Sequence, residues 1–208
     1  MAELYFKKLG RAVEIGVYRG IFAKHNLRTW TGNYTMIDYW AKRRHDQIDN
    51  SMNHAVNREL AEQNVAPYAG RVQMIKSLSV PAASRFDAEY FDWIYVDALH
   101  TYEAVLADVR AWWPKLRHGG LMSGDDYGDM KDTPFLPRER YVEYYGNDSL
   151  LSQWGTVRAM QEFADEVDRQ LFVTWMKPHD DPTQRTSIVR EGRGCYHHPA
   201  WYIIKSEK

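Results

Sequence analysis

Residues 91–127, FDWIYVDALHTYEAVLADVRAWWPKLRHGGLMSGDDY, hold two apolar runs that each end in acids, with one amphipathic stretch between them. No other feature constrains the fold as much. Phe91 to Val96 is nearly continuous in apolar residues, the pattern of a parallel strand covered on both faces. Val105, Val109, Trp112 and Leu116 recur at i, i+4, i+7 and i+11, which predicts one face of a helix returning to the strand's starting side. Pro114 is expected to kink or shorten the last turn, Gly119 and Gly120 to break the helix, and Leu121 and Met122 to make the next strand. Asp97, His100, Asp125 and Asp126 then share the carboxyl edge, where open parallel sheets bind their ligands.

The same rhythm runs through the rest of the chain. A strand is predicted near 11–17, a helix near 19–28, a strand near 34–39, a helix near 51–66 and a strand near 71–76, the alternation of a doubly wound parallel α/β sheet. Val157, Met160, Ala164, Val167 and Leu171 resume helical spacing, and LFVTWM and AWYIIK supply two further apolar runs. Residues 128–153 carry two prolines and no clean period, and read as a loop or lid. Residues 177–199 are rich in His, Pro and Gly and read as either a hairpin or a second surface loop.

Bulk properties narrow the partners. At 208 residues the chain is expected to form a single domain over 1–208. With 27 basic and 28 acidic side chains it lacks the positive field that holds a phosphate backbone, so nucleic acid is not an expected partner. Cys195 is the single cysteine, and neither a signal peptide nor an apolar run of about 18 residues appears. A reducing cytoplasmic location without membrane association is expected. Aromatics reach 14%, including 8 Trp and 14 Tyr, more than a core readily claims, and some are expected to line a ligand site.

Glu14, Gly16 and Gly20 stand in AVEIGVYRGIFA, a strand turning through glycines into a helix, where exposed amides favour a carboxylate or phosphate. The turn reads E-x-G-x-x-x-G, not the GxGxxG of dinucleotide-binding dehydrogenases. About 20 residues on, Asp38 ends the second apolar run, where a carboxylate can accept the ribose hydroxyls of a nucleoside. Local pairing of Glu14 and a turn at Asp38 are the simpler alternatives.

Together, VEIGVYRG, MIDYW, the 96–127 block and WGTVRAMQEFA resemble class I S-adenosylmethionine-dependent methyltransferases over residues 11–205. More narrowly, D-x-x-H-x-Y with G-D-D-Y resembles the small-molecule O-methyltransferases that include macrocin-type and rhamnosyl sugar methyltransferases. The resemblance implies a Rossmann-like, doubly wound, mostly parallel seven-stranded sheet with helices on both faces and an antiparallel last strand. It implies S-adenosylmethionine as cofactor, with Gly16, Gly20, Tyr18 and Glu14 at its methionine end, Asp38 at the ribose, Asp97 alongside, and Ser77, Leu78 and Ser79 in place of the acid that often meets adenine.

Methyl transfer to oxygen requires an oriented acceptor, removal of its proton and exclusion of water. Three acids at one edge repel one another unless protonated or bridged by a hard cation such as Mg²⁺ or Mn²⁺. The resemblance implies Asp97, Asp125 and Asp126 as ligands, with Asp97 and Asp126 also acting in catalysis. Helix capping and exposed turn acids are the alternative. Some metal-dependent relatives place a basic Asp two residues after the first acid, where this chain has Leu99. His100 is the nearest substitute as proton acceptor, or else it orients a ligand or caps the helix. Tyr102 and Tyr127 flank the cluster as substrate contacts or packing residues. Arg138, Arg140, Tyr141, Tyr144, Tyr145 and Trp154 of the lid suit a sugar acceptor or a second subunit, so a homo-oligomer is also possible. His197 and His198 read as surface residues. The expected function is transfer of a methyl group to a sugar hydroxyl of a small glycoside or glycan, a deoxyhexose such as rhamnose being one option; catechol O-methylation and a non-catalytic nucleotide-binding module are the competing readings.

Overall fold

The computed structural model describes residues 10–42, 52–128, 155–174 and 199–206. Most of the lid, most of 177–199, Cys195 and both His197 and His198 lie outside these. The elements run β1 (Arg11–Ile15), α1 (Ile21–Leu27), β2 (Asn33–Asp38), α2 (His54–Val65), a 3-10 segment (Ala66–Arg71), β3 (Val72–Lys76), α3 (Ser79–Ala83), β4 (Phe91–Val96), α4 (Tyr102–Trp112), β5 (Leu116–Gly124), α5 (Thr156–Glu166), β6 (Leu171–Val173) and β7 (Trp201–Ile204). The seven strands form one sheet in the order β3-β2-β1-β4-β5-β7-β6. Strands β1 to β5 are parallel, and β7 runs antiparallel to both β5 and β6. This is the mostly parallel, Rossmann-like sheet expected, with its last strand reversed.

Alternation along each strand divides the core in two, since successive side chains point to opposite faces. Ala12, Tyr34, Met36, Trp93, Tyr95 and Leu121 face α1 and α2. Val13, Ile15, Ile37, Ile94, Val96 and Met122 face the other way, against Val105, Val109 and Trp112 of α4 and Met160 and Phe163 of α5. Burial on both faces explains why β4 reads as a continuous apolar run. Among the described residues no helix is long and apolar enough to cross a membrane.

One part of the sequence reading is corrected. Helix α4 ends at Trp112, and Pro114 sits in a single 3-10 turn over Trp113–Lys115. Proline cannot donate to the helical ladder and disfavours helical backbone before it, so the stop falls earlier than the glycines. Leu116, expected on the helix, instead opens β5 and is fully buried there. Gly119 and Gly120 lie inside the strand, where Phe91 pairs with Leu116 but Trp93 pairs with Leu121. The glycines absorb this register shift: Gly119 has φ +73°, and a Cβ on Gly120 would stand 2.8 Å from the Arg117 carbonyl. Lys205 closes the region, donating from Nζ to the carbonyls of Trp113 and Leu116 at 3.1 and 2.7 Å. Leu171 likewise belongs to β6, α5 having ended at Glu166.

Candidate active site

The turn after β1 lies where the strand order reverses, with β2 on one side and β4 on the other, the position at which doubly wound sheets take a ligand. Gly16, Tyr18 and Gly20 all have positive φ, at 87°, 54° and 69°. At Gly16 the reason is close approach: a Cβ would fall 1.8 Å from the carbonyl oxygen of Asp97. The Gly20 Cα faces Ala61 of α2, which lets the two helices pack closely. Asp38 holds this turn. Its Oδ2 accepts the amides of Val17 and Tyr18, both at 2.8 Å, and its Oδ1 accepts that of Trp40 at 2.8 Å. The Trp40 indole donates to the Tyr18 carbonyl, at 2.9 Å. Asp38 thus fixes the turn whose amides it occupies, and since a carboxylate has about four acceptor sites, capacity remains for a ribose hydroxyl.

Glu14, expected at the methionine end of the cofactor, lies within the sheet. It is 1% exposed and accepts a hydrogen bond from the Tyr34 hydroxyl at 2.8 Å, which in turn accepts from Asn26. Burial holds its carboxyl well above the usual range, the Tyr34 bond opposes this, and Asp97 and Asp38 add to the rise. A carboxyl raised in the folded state contributes most below its unfolded value of about 4.5, and that contribution is lost as pH climbs through the folded value. Glu14→Gln is therefore expected to raise the denaturation midpoint at pH 8 but not at pH 4, and to flatten the pH dependence between them. A larger loss at pH 8 than at pH 4 in chemical denaturation would contradict this.

Ser77 continues from β3 beside the second strand, its amide donating to the Asp38 carbonyl at 2.9 Å, and Leu78 caps α3. Ser79 is occupied by the Trp112 indole at 2.9 Å. Tyr18, Ile21, Val56, Leu78 and Val80 are large apolar side chains that remain between 43% and 65% exposed. They stand in the turn after β1 or at the starts of α1, α2 and α3, giving the carboxyl edge an apolar rim suited to a base and its ribose. The rim apart from Tyr18 and Leu78 escaped the sequence reading; its signal was apolar residues in first helical turns, outside the buried period.

The second half of the site follows β4. The amide of Asp97 donates to the Ile15 carbonyl at 2.8 Å, tying the two strand ends together. Thr101 caps α4 by accepting the Ala104 amide, and the His100 carbonyl accepts the amide of Gly155 at 3.0 Å. His100 does not cap the helix. Its Nε2 instead lies 3.5 Å from Asp97 Oδ1 and 3.2 Å from Asp126 Oδ2. Asp126 reaches it from a left-handed backbone with φ 54°, a conformation Asp tolerates better than most residues. One donor atom from each of Asp97, His100 and Asp126 lies within 4.8 Å of the others, a set that could close on a cation. Two carboxylate oxygens and an imidazole suit Mn²⁺ or, with water completing the shell, Mg²⁺. Of the expected trio Asp97, Asp125 and Asp126, the first and last fall in this set, and His100 stands in it where Asp125 does not. Burial, then Asp125 and Asp126, push Asp97 up to about 7. Burial pulls His100 down to about 4 against the opposing charge of Asp125, so the imidazole is neutral at neutral pH.

The two tyrosines flank the cluster from α4 and from the end of β5. Tyr102 donates its hydroxyl to Glu162 and lies under Arg158, 4.2 Å from ring centroid to guanidinium, which ties α4 to α5. Tyr127 is half-buried against the α4/α5 side of the core, its amide donating to the Pro199 carbonyl at 2.9 Å. Both rings pack beside the α4/α5 layer at the edge of the site. Arg138 and Tyr141 lie outside the described residues.

The family described as a methyltransferase domain has a model that matches residues 13–127, more than half of the chain and both halves of this site. The chain belongs to this methyltransferase family. No curated protein matches it. Solved structures with the same fold include a putative caffeoyl-CoA O-methyltransferase from Staphylococcus aureus, at 14% identity and TM-score 0.61, covering 99% of this chain and 80% of that one. An S-adenosylmethionine-dependent O-methyltransferase from Thermotoga maritima superposes with TM-score 0.60 at 14% identity, over 100% of this chain and 63% of the other. Aeropyrum pernix fibrillarin with natively bound S-adenosylmethionine gives TM-score 0.56 at 15% identity, over 94% and 66%. In this methyltransferase the stretch that matches the family ends at Tyr127, directly after the acids.

Proposed function

We propose that this methyltransferase transfers the methyl group of S-adenosylmethionine to a sugar hydroxyl, with a divalent cation held by Asp97, His100 and Asp126. The observation that supports it most is the convergence of those three side chains beside the turn after β1. The donor would supply an electrophilic methyl on sulfur and lie along the rim formed by Tyr18, Ile21, Val56, Leu78 and Val80, its ribose toward Asp38 and its adenine toward Ser77 and Leu78. A bound cation would gather two neighbouring oxygens of the acceptor and lower the pKa of one. Asp97 and Asp126 hold the charge that favours such an ion, and Thr101 and Gly155 fix the segment between them. Leu99 leaves no acid at the position where some relatives keep a base. With the His100 imidazole nitrogen taken by the cation, the second carboxylate oxygen of Asp97 would receive the acceptor's proton, directly or through a water.

The sugar class rests on D-x-x-H-x-Y with G-D-D-Y, the two motifs shared with sugar O-methyltransferases. The test is methyl transfer from labelled S-adenosylmethionine to methyl α-rhamnoside and to catechol, each with and without chelator, alongside calorimetry with S-adenosylhomocysteine. Transfer to the glycoside that chelator abolishes is the expected result. Transfer to catechol alone would remove the sugar half of the reading, and no binding of S-adenosylhomocysteine would remove the cofactor half.

A further inference from the structure

A cavity of about 320 Å³ lies on the α1 face of the sheet, over β4, β5 and β7. Its volume is at the small end of the range of about 300–1,000 Å³ typical of small-molecule pockets. Phe22, Trp30, Trp93, Tyr95, Leu121 and Tyr202 give it mainly ring walls. Phe22 stacks on Tyr95 with centroids 4.1 Å apart, Trp93 is 5.7 Å from Trp30, and across the cavity Tyr202 stacks on Phe172 at 4.8 Å. The cavity reaches toward the strand ends that carry the acids. Tyr95 pairs with Ser123, both line it, and they stand two residues before Asp97 and Asp125. Thr174 and Ala200 close it at the same edge, next to the Pro199 carbonyl that holds Tyr127.

Several of its polar groups are already hydrogen-bonded. The Trp30 indole donates to the Asn33 carbonyl, the Trp93 indole to Ser123, Asn26 to Tyr34, Thr29 to the Asn26 carbonyl and Thr174 to the Ala200 carbonyl. A pyranose brings several hydroxyls, each costly to bury without a partner, and against them the cavity offers chiefly ring faces, with His25, Ser123 and the Tyr95 and Tyr202 hydroxyls as its remaining polar groups. A flat ring with few polar atoms meets neither difficulty and gains the edge and face contacts that aromatic walls provide. Trp93 and Tyr95 also account for part of the aromatic excess in the sequence, since they alternate on one face of β4.

We propose that this cavity receives an aryl group attached to the acceptor, so that the substrate is an aryl glycoside whose sugar lies at the acids and whose ring lies between α1 and the sheet. The inference rests on the methyl-transfer reading for the sugar but not for the ring. Its test is calorimetry on the full chain with S-adenosylhomocysteine, using phenyl α-rhamnoside, methyl α-rhamnoside and 2-naphthol. The variants are Thr29→Trp and His25→Trp, both at residues that line the cavity and each placing a much bulkier ring there. The phenyl glycoside is expected to bind at least tenfold more tightly than the methyl glycoside, and the variants to remove that gain while leaving methyl glycoside binding and methylation unchanged. Equal binding of the two glycosides, or a preference that persists in both variants, would overturn the inference and leave sugar methylation standing. Should neither glycoside bind, 2-naphthol decides: binding that the variants abolish supports the ring site while the sugar reading falls, and no binding overturns the ring site too.

Discussion

Asp126→Asn is expected to lower methyl transfer by about 100-fold or more, the size of effect seen when a charged group that holds a cation or moves a proton is neutralised. Asparagine keeps the shape and tolerates the left-handed backbone at φ 54°, so loss of charge is isolated from loss of fold. Binding of S-adenosylhomocysteine should change little, because Asp38 and the turn at Gly16 lie on a different strand end. Asp125→Asn provides the contrast. Its carboxylate lies outside the Asp97–His100–Asp126 set, and its replacement is expected to cost less than about tenfold. Chelator should reduce the wild-type rate to that of Asp126→Asn and reduce the variant no further. A severe Asp125→Asn beside a mild Asp126→Asn, measured as initial rates at saturating donor, would show that the acids divide their work in the opposite way.

Gly16→Ala is expected to destabilise the protein by about 3 kcal/mol or more, since it combines an unfavourable φ with a collision against backbone that cannot swing aside. The added Cβ would stand 1.8 Å from the Asp97 carbonyl oxygen and 2.8 Å from the Ala98 Cα. Relief requires β1 and β4 to part at the edge where both halves of the site meet, so donor binding should weaken along with stability. Gly20→Ala faces Ala61 at 3.1 Å with φ +69°, and an intermediate loss is expected. Gly70→Ala, with nothing within 4 Å, should stay within about 0.5 kcal/mol of wild type. Denaturant unfolding of the three variants measures the series, and a Gly16→Ala protein as stable as Gly70→Ala would remove close strand approach as the reason for this glycine.

The elements that were legible carry their signal within a few residues. β4 announced itself because both of its faces are buried, and α4 because Val105, Val109 and Trp112 recur with the helical period. The errors cluster where the signal is shared. Leu116 fits the same helical stripe, and only the backbone limits set by Pro114 move it into a strand. Gly119 and Gly120 look like a break, yet they serve a register shift that depends on a partner strand. Glu14 lies in a motif that implies a ligand, whereas its neighbour across the sheet, Tyr34, gives it an interior role.

By itself the sequence determined the βαβ order, the mostly parallel sheet and the strand ends that carry Gly16, Asp38, Asp97 and Asp126, because period and turn chemistry are local properties of the chain. Tertiary structure decided which groups at those ends meet. His100 joins Asp97 and Asp126 because the Thr101 cap, the Gly155 hydrogen bond and the left-handed Asp126 aim three side chains at one point, and the rings of β4, α1 and β7 enclose a cavity only once the strands are paired. Such convergence depends on distances between residues far apart in sequence, which packing sets and no local spacing records.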